Sequence, residues 1–222
     1  MRRERKRDVQ AMFGRATTLY PRSIELLEQL DLTKELCQVG FIARSAVNYR
    51  DGQRLNDRGR QPMFEPFRNS FHDYALNIGQ YNSEEVILAK YQKDSGKNIW
   101  FGWALENFVL DSSLGDGYNI TASLKHRSSG NLEKYLVGAD GGSSTVRHLA
   151  NIKMEGDQTT YRWILIDGKM KINMPDADIG FAAVESKHHG NVLWVKLDQD
   201  AHRIGFSLTE PLLAKYPNGL TK

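Results

Sequence analysis

The sequence is poor in cysteine and has no long apolar segment. Cys37 is the single cysteine among 222 residues, so an internal disulfide is excluded. The apolar runs are much shorter than the roughly 20 residues that a membrane-spanning helix needs. No apolar segment at the start is followed by the small residues of a secretory cleavage site. We therefore expect a protein of a reducing, cytoplasmic setting with no membrane partner.

The net charge is small as well: 30 Lys and Arg residues nearly balance 27 Asp and Glu residues, which leaves a net charge of +3. Much of this excess lies in residues 1–7, which we interpret as a solvated terminus. A nucleic-acid-binding arm is the alternative, but no basic stripe with interleaved aromatic residues continues the cluster, so we expect no nucleic-acid partner. A composition of 40% hydrophobic and 26% charged residues is typical of a globular protein and excludes disorder as the main state.

Clusters of metal ligands are missing too. His188 and His189 are adjacent, and neighbouring residues of a regular strand point to opposite faces of a sheet, so the two rings would not bind one ion together. We predict no metal. Trp100, Trp103 and Trp194 are interpreted as packing residues, within a core or between lobes, before any role as a substrate wall.

What the sequence does contain is a clear pattern of elements in its first half. Apolar residues at helical spacing predict an amphipathic helix from Pro21 to about Leu32. Alternation between Val39 and Leu55 predicts strands, with a hairpin turn at Asp51–Gly52. Ser83 predicts the capped start of a short charged helix, with Gln80 on the loop that enters it.

The second half of the chain is predicted to be rich in strands. The predicted strands are 99–110, 118–127, 134–139, 161–166, 181–185, 191–197 and 202–208. A helix is predicted to open at Ser143. We find no internal repeat and no linker that would mark a clean domain boundary.

The most site-like feature is the run from Tyr135 to Arg147, Tyr-Leu-Val-Gly-Ala-Asp-Gly-Gly-Ser-Ser-Thr-Val-Arg. It predicts a buried strand that ends in Asp140 and two glycines at a helix N-terminus. Backbone donors point outward there, and a ligand can approach the glycine backbone closely. Taken alone, such a turn after a strand is most often only a turn.

This run, on to Ile152, resembles the internal Asp-Gly motif of FAD-dependent aromatic-ring monooxygenases of the phenol 2-monooxygenase type, which have the hydroxybenzoate-hydroxylase fold. Two further stretches carry the likeness. Residues 14–30 resemble the loop and Pro-Arg helix beside the flavin ring, and Asn77-Ile-Gly-Gln resembles the strand whose glutamine contacts the flavin. All three occur in the family's order.

The resemblance implies the cofactors and the site residues. FAD would be the cofactor and NADPH its reductant, for hydroxylation of a phenolic or other aromatic substrate. Arg203 would face the substrate, with an ordinary surface arginine on a strand as the alternative. The residues implied for FAD are Asp140, Gly141, Gly142, Gln80, Arg22 and Arg147.

The sequence departs from the family pattern at two expected active-site positions. The loop before the Pro-Arg helix has Thr17 where phenol hydroxylases carry an aspartate that assists deprotonation of the phenol. A threonine cannot act as a carboxylate base at neutral pH. Where the family strand has an arginine followed by a tyrosine, this chain has Gly205 and Phe206.

The fold implied is α+β or α/β: a partial FAD-binding fold with a mixed β-sheet substrate lobe. Residues 1–152 would form a partial FAD-binding domain with a β excursion at about 38–75, and residues 153–222 a partial substrate-binding β-sheet domain. The Gly-x-Gly-x-x-Gly turn of a first βαβ unit does not occur before Gly14, and the Gly-Asp motif that the family carries after its substrate domain does not occur after the predicted substrate-binding strands. We therefore expect weak or absent FAD binding by this chain, an exposed sheet edge and exposed apolar faces. The alternative function is that of a catalytically silent, β-rich binding or interaction fragment.

Overall fold

The computed structural model describes residues 15–57, 63–101, 103–111, 113, 119–125, 127–133, 135–159, 162–188 and 190–215. The basic cluster at residues 1–7, Gly14 and His189 lie outside the described residues. The helices are α1 (Pro21–Glu28), α2 (Thr33–Val39), α3 (Gln80–Ser95), α4 (Thr145–Leu149) and α5 (Glu210–Lys215). The strands are β1 (Thr18–Leu19), β2 (Phe41–Ala43), β3 (Ser45–Arg50), β4 (Gln53–Arg54), β5 (Ala75–Asn77), β6 (Ala104–Leu110), β7 (Ile120–Lys125), β8 (Arg127–Glu133), β9 (Trp163–Gly168), β10 (Gly180–Ser186), β11 (Gly190–Lys196) and β12 (His202–Ser207).

The chain divides into two compact units. The main unit combines Met1–Gly96 with Thr160–Lys222, and the inserted unit is Lys97–Thr159. The predicted boundary at residue 152 concerns which residues hold the cofactor and which hold the substrate, and that assignment stays a prediction.

A six-stranded mixed sheet dominates the main unit, in the order β4-β3-β10-β11-β12-β9. β3 and β10 pair in parallel, with Ala46 opposite Phe181, and the other neighbours are antiparallel. The hairpin predicted at Asp51–Gly52 joins β3 to β4 and is confirmed. A second, three-stranded sheet has the order β1-β5-β2.

The core of the main unit lies between these sheets and the first helices. Phe64 and Phe181 pack with ring centroids 5.6 Å apart in a cluster with alanines of β2, β3 and β5. The apolar stripe predicted on α1 is confirmed, because Ile24 packs against Leu36 and Leu76 and each is at most 1% exposed. Burying a side chain of this size contributes about 1.5–3 kcal/mol to folding.

The inserted unit contains the antiparallel sheet β6-β7-β8 followed by α4. The predicted strand at 134–139 is wrong, because the third strand of this unit is β8 and residues 135–139 are not in a strand. Tyr135 and Val137 are 76% and 85% exposed. Their apolar alternation predicts a strand, but none of the described strands has this segment as a ladder neighbour, so the two side chains stay exposed.

The start of α3 also differs from the prediction. α3 begins at Gln80, so this residue is the first of the helix and does not lie on the entering loop. Gly79 occupies the N-cap position and Ser83 lies within the helix, where its hydroxyl bonds the carbonyl of Gln80. Among the described residues, no helix combines the length and hydropathy that bilayer crossing requires.

Candidate functional site

A cavity of about 330 Å³ opens in the main unit, where four chain segments meet. Its lining consists of residues 15–17, 79–82 and 167–169, Leu197, Asp198, Gln199, Ala201 and Arg203. These segments are the loop before β1, the start of α3, the end of β9 and the connection from β11 into β12. Two of the predicted site residues, Gln80 and Arg203, therefore line one cavity.

The buried charged groups in the cavity lining form an ion pair between two neighbouring strands. Arg203 of β12 lies directly opposite Asp167 of β9 in the antiparallel register. Its Nε donates to Oδ1 at 2.6 Å and its Nη2 to Oδ2 at 2.7 Å, which is a bidentate geometry. The two side chains are 7% and 6% exposed. The surface-arginine interpretation is therefore wrong.

Thr17 takes part in the same network. Nη1 of Arg203 donates to the Thr17 hydroxyl at 3.2 Å. The loop is fixed from the other side by Thr18, whose hydroxyl donates to the Asn77 Oδ1 at 3.1 Å. Asn77 is fully buried, and its amide nitrogen reaches the carbonyl of Lys196 at 3.0 Å. The loop, β5 and β11 are thus tied together around the cavity.

The start of α3 is held by Asp198. This carboxylate accepts from the Gly79 backbone N–H at 2.7 Å and from the Asn82 Nδ2 at 2.9 Å. Because the first N–H groups of a helix have no partner within it, an acceptor from another segment fixes the helix start. Gln80 is placed at the cavity in this way, and its amide nitrogen donates to Glu84 at 2.8 Å.

Arg22 is not part of the cavity lining. It lies in the first turn of α1, its side chain is 76% exposed, and it pairs with Glu25 at 3.1 Å. The Pro21-Arg22 helix start is thus present as predicted, but the structure does not bring this arginine into the cavity.

The Asp140 turn belongs to the inserted unit and caps its own helix. The Asp140 carboxylate accepts from the Ser144 hydroxyl and from the backbone N–H groups of Thr145, at 2.6 Å, and Val146, at 3.2 Å. The hydrogen bond from Ser144 is the main cause that lowers the pKa of the Asp140 carboxyl below its ordinary value of 3.8. Ser144 in turn accepts from the Arg147 N–H at 3.0 Å as the N-cap of α4. The predicted capped helix opening is confirmed.

The glycines of this turn leave its backbone open. Gly141 has a φ of +86°, which favours glycine, and a Cβ at Gly142 would meet nothing within 4 Å. Arg147 donates from Nη1 to the Gly142 carbonyl at 2.7 Å. Its Nε is buried and has no hydrogen-bond partner among the described residues. The turn thus has an unused donor beside an exposed glycine backbone.

An apolar groove of about 640 Å³ in the inserted unit includes Asp140 in its lining. Trp100 and Trp103 lie on it with ring centroids 6.1 Å apart. Trp100 is 56% exposed and lies outside the core clusters formed by the described residues, whereas Trp194 of the main unit is 4% exposed and lies in the core.

Asp167 and Asp198 are the two site residues that sequence reasoning missed. Each follows an apolar strand segment, Trp163–Ile166 and Val192–Leu197, which is a signal for an acidic residue at a strand end. The partner of Asp167 is 36 residues away, and only the strand pairing brings the two together. A sequence without the pairing order does not reveal that contact.

Comparison with known proteins identifies the family. Residues 4–203 match the FAD binding domain family. The chain belongs to this family. The predicted resemblance to FAD-dependent monooxygenases is thereby confirmed, and curated relatives carry that name.

One relative, an FAD-dependent monooxygenase of Aspergillus terreus, is 26% identical over 198 residues, which cover 83% of this chain and 26% of the relative. A second, 6-methylpretetramide 4-monooxygenase of Streptomyces rimosus, is 28% identical over 189 residues, which cover 83% of this chain and 31% of the relative. The chain thus spans less than a third of the length of either relative.

The fold is shared with a solved flavin monooxygenase structure. p-Nitrophenol 4-monooxygenase PnpA of Pseudomonas putida is similar with a TM-score of 0.72 at 15% identity, over 91% of this chain and 51% of that one. The predicted α+β fold with a mixed sheet is confirmed. At this identity the likeness concerns the fold alone.

The residues of the Asp140 turn fit the FAD that the family name implies. FAD carries a pyrophosphate and a ribose rich in oxygen acceptors, and the open glycine backbone with the unused Arg147 Nε suits such a ligand. The Asp140 carboxylate itself is engaged in capping α4, so FAD would share it with the helix.

Proposed function

We propose that this chain is part of an FAD-dependent monooxygenase that hydroxylates a phenolic or other aromatic substrate. The match of residues 4–203 to the FAD binding domain family carries the proposal. The names of the relatives support monooxygenase chemistry, and the name of PnpA supports a phenolic substrate class. The cavity with Arg203 and Thr17 in the main unit is the candidate substrate site.

The FAD-holding residues proposed are Asp140, Gly141, Gly142 and Arg147 at the ribose and pyrophosphate, with Gln80 and Arg22 nearer the flavin. When bound, FAD supplies the redox chemistry that activates dioxygen for transfer to the ring, and NADPH is the proposed reductant. A cytoplasmic, reducing setting is part of the same proposal.

The residues of the chain bind and orient the substrate in this proposal. Arg203 presents N–H donors from a buried, fixed guanidinium, and Thr17 presents a hydroxyl. Neither group is a carboxylate base. Deprotonation of a phenol by the residue at position 17, as the phenol hydroxylase pattern would have it, is therefore not part of the proposed mechanism.

Titration with FAD tests the proposed function. We expect weak but saturable quenching of flavin fluorescence by the chain, and about tenfold weaker binding by Asp140→Ala, because charge-assisted contacts at the turn are lost. Asp157→Ala, which removes an exposed carboxylate of the same unit, is the matched control and should bind as the parent chain does.

Aerobic NADPH oxidation with added FAD and a panel of phenols extends the test to activity. Phenol-stimulated oxidation that is lost in Asp140→Ala supports the monooxygenase proposal. Equal FAD binding by the parent chain and Asp140→Ala would contradict the assigned site. FAD binding without any stimulated turnover would favour a catalytically silent binding fragment.

A further inference from the structure

The buried ion pair in the main-unit cavity combines two opposite charges in one place. Arg203 and Asp167 are each less than about one tenth exposed, and both line the cavity. Taking one such charge away leaves the other uncompensated in a poorly solvated position, which is strongly unfavourable. The cavity wall therefore contains the Arg203 guanidinium, and its positive charge is neutralised by the Asp167 carboxylate in direct contact with it.

The guanidinium still has hydrogen-bonding capacity for a ligand. An arginine side chain has five N–H donors. Among the described residues, Asp167 accepts from Nε and Nη2, and Thr17 accepts from Nη1. Two N–H groups remain, one on Nη1 and one on Nη2. Because Arg203 lines the cavity, we expect these groups to be within reach of a ligand there.

Two further cations in the cavity lining are of a different kind. Arg15 and Lys169 are both exposed, so water and salt screen their charges. The second carboxylate of the lining, Asp198, is occupied by Gly79 and Asn82. The charge that a buried ligand group meets is thus set by Arg203 and Asp167.

We propose that Asp167 is a specificity-determining residue: by cancelling the Arg203 charge, it makes the cavity select a neutral phenolic oxygen over an anionic carboxylate of the same ring size. The substrate class is therefore an uncharged phenol. This inference rests on the proposed function, because it concerns the substrate of the same cavity.

The consequence is a defined order of ligand preference among charge variants. The parent chain should bind phenol with an affinity at least about tenfold higher than its affinity for benzoate, because benzoate would place a second carboxylate beside Asp167. Asp167→Asn keeps the shape and leaves Arg203 uncompensated, so the phenol-to-benzoate affinity ratio should fall by about tenfold or more. Arg203→Gln leaves Asp167 uncompensated and should shift the ratio in the opposite direction.

The double variant, Asp167→Asn with Arg203→Gln, separates the charge effect from damage to the fold. It is neutral again, and replacing both members of a buried pair costs far less stability than replacing one. Its affinity ratio should return to within about threefold of the parent value, although both affinities fall. A purely structural role for Asp167 would weaken both ligands equally and leave the ratio unchanged.

The experiment measures dissociation constants for phenol and benzoate by calorimetry, with and without added FAD, on the parent chain and the three variants. Lys169→Gln is the matched control for an exposed cation in the same lining, and its ratio should change by less than about twofold. An unchanged ratio in Asp167→Asn, an equal change in Lys169→Gln, or no phenol binding by the parent chain would each overturn the inference.

Failure of this inference and failure of the proposed function are distinguishable. Flavin quenching that depends on Asp140, together with a ratio that ignores Asp167, overturns the specificity role and leaves the flavin function standing. A ratio that follows the charge of the Arg203–Asp167 pair, together with flavin quenching that is equal in the parent chain and Asp140→Ala, supports the specificity role and contradicts the assigned flavin site.

Discussion

His202 is a buried titratable residue in the sheet of the main unit. Its ring stacks on Trp194, with centroids 5.1 Å apart and planes inclined by 30°. Its Nδ1 is buried with no hydrogen-bond partner among the described residues. Burial lowers the pKa of His202 below its ordinary value of 6.5, nearby Lys196 lowers it further, and Asp200 partly opposes both. The folded chain therefore resists protonation of this ring.

The lowered pKa predicts acid sensitivity. Between the folded-state pKa and 6.5 the unfolded chain binds more protons, so the free energy of unfolding should fall as pH drops below about 6.5, by at most about 1.4 kcal/mol per pH unit. His202→Gln should reduce this fall. Urea unfolding of the main unit at about pH 7.5 and about pH 5.5 measures it.

The control for this prediction is His188→Gln, since His188 is exposed in the turn between β10 and β11. It should leave the pH dependence unchanged. If His202→Gln kept the full pH dependence of the parent chain, protonation of other groups would be its cause.

In the inserted unit, the segment that contains Gly138 packs closely against α4. A Cβ on Gly138 would lie 2.8 Å from the Val146 Cβ, which belongs to α4. Real Cβ atoms do not come this close, so the segment before the Asp140 turn packs on α4 only because residue 138 has no side chain. Gly142, by contrast, faces open space.

This contrast predicts different effects for two Gly→Ala changes. Gly138→Ala should destabilise the inserted unit by about 1–3 kcal/mol through overpacking. Gly142→Ala is the matched control and should change stability by less than about 0.5 kcal/mol. Adding Val146→Ala to Gly138→Ala should recover part of the loss. Hydrogen exchange of peptides from residues 97–159 is the measurement, and equal effects of the two alanines would refute the packing argument.

The elements that the sequence predicts well are those with strong local signals. Pro21 and the spacing of Ile24 predict α1, and Asp51–Gly52 predicts the β3–β4 turn. Residues 180–207 alternate and are punctuated by turn residues, so β10, β11 and β12 match within about two residues. Sequence patterns predict an element correctly where turn residues and apolar spacing within that segment determine its structure.

The features that the sequence did not predict correctly depend on contacts between residues far apart in the chain. Residues 135–139 have the pattern of a strand, but a strand needs a neighbour, and the sequence does not say which. α3 starts at Gln80, where Asp198, far along the chain, accepts from the Gly79 N–H. Gln80 and Arg203 were predicted at the site, whereas Asp167 was not, because only the β9–β12 pairing reveals its role.

At the scale of the whole chain, the two compact units differ in how much core they contain. All three clusters of buried apolar residues found in the described part of the chain lie in the main unit. Within the described residues of the inserted unit, Ala122 is the one buried apolar residue, whereas Leu110, Tyr135 and Val137 are strongly exposed. Few buried apolar contacts mean low local stability.

Hydrogen exchange should therefore be faster in residues 97–159 than in the main-unit strands β3, β10, β11 and β12. We expect protection factors lower by about tenfold or more, measured by mass spectrometry at neutral pH. The β11–β12 hairpin of the same chain is the internal standard, because its strands pair over five residues. Equal protection in the two units would show that the inserted unit has stabilising contacts beyond those described.

The parallel pairing of β3 with β10 has a consequence for synthesis. Arg50 and Glu185 are neighbours in this ladder, although 135 positions separate them in the chain. A ribosome must therefore make β10 before the strand that begins at Ser45 finds its parallel partner. Strands β6, β7 and β8 instead pair with neighbours that are close in sequence. The β3–β4 hairpin is therefore made early but joins the six-stranded sheet late, so during translation we expect its unpaired apolar strand β3 to need protection by chaperones.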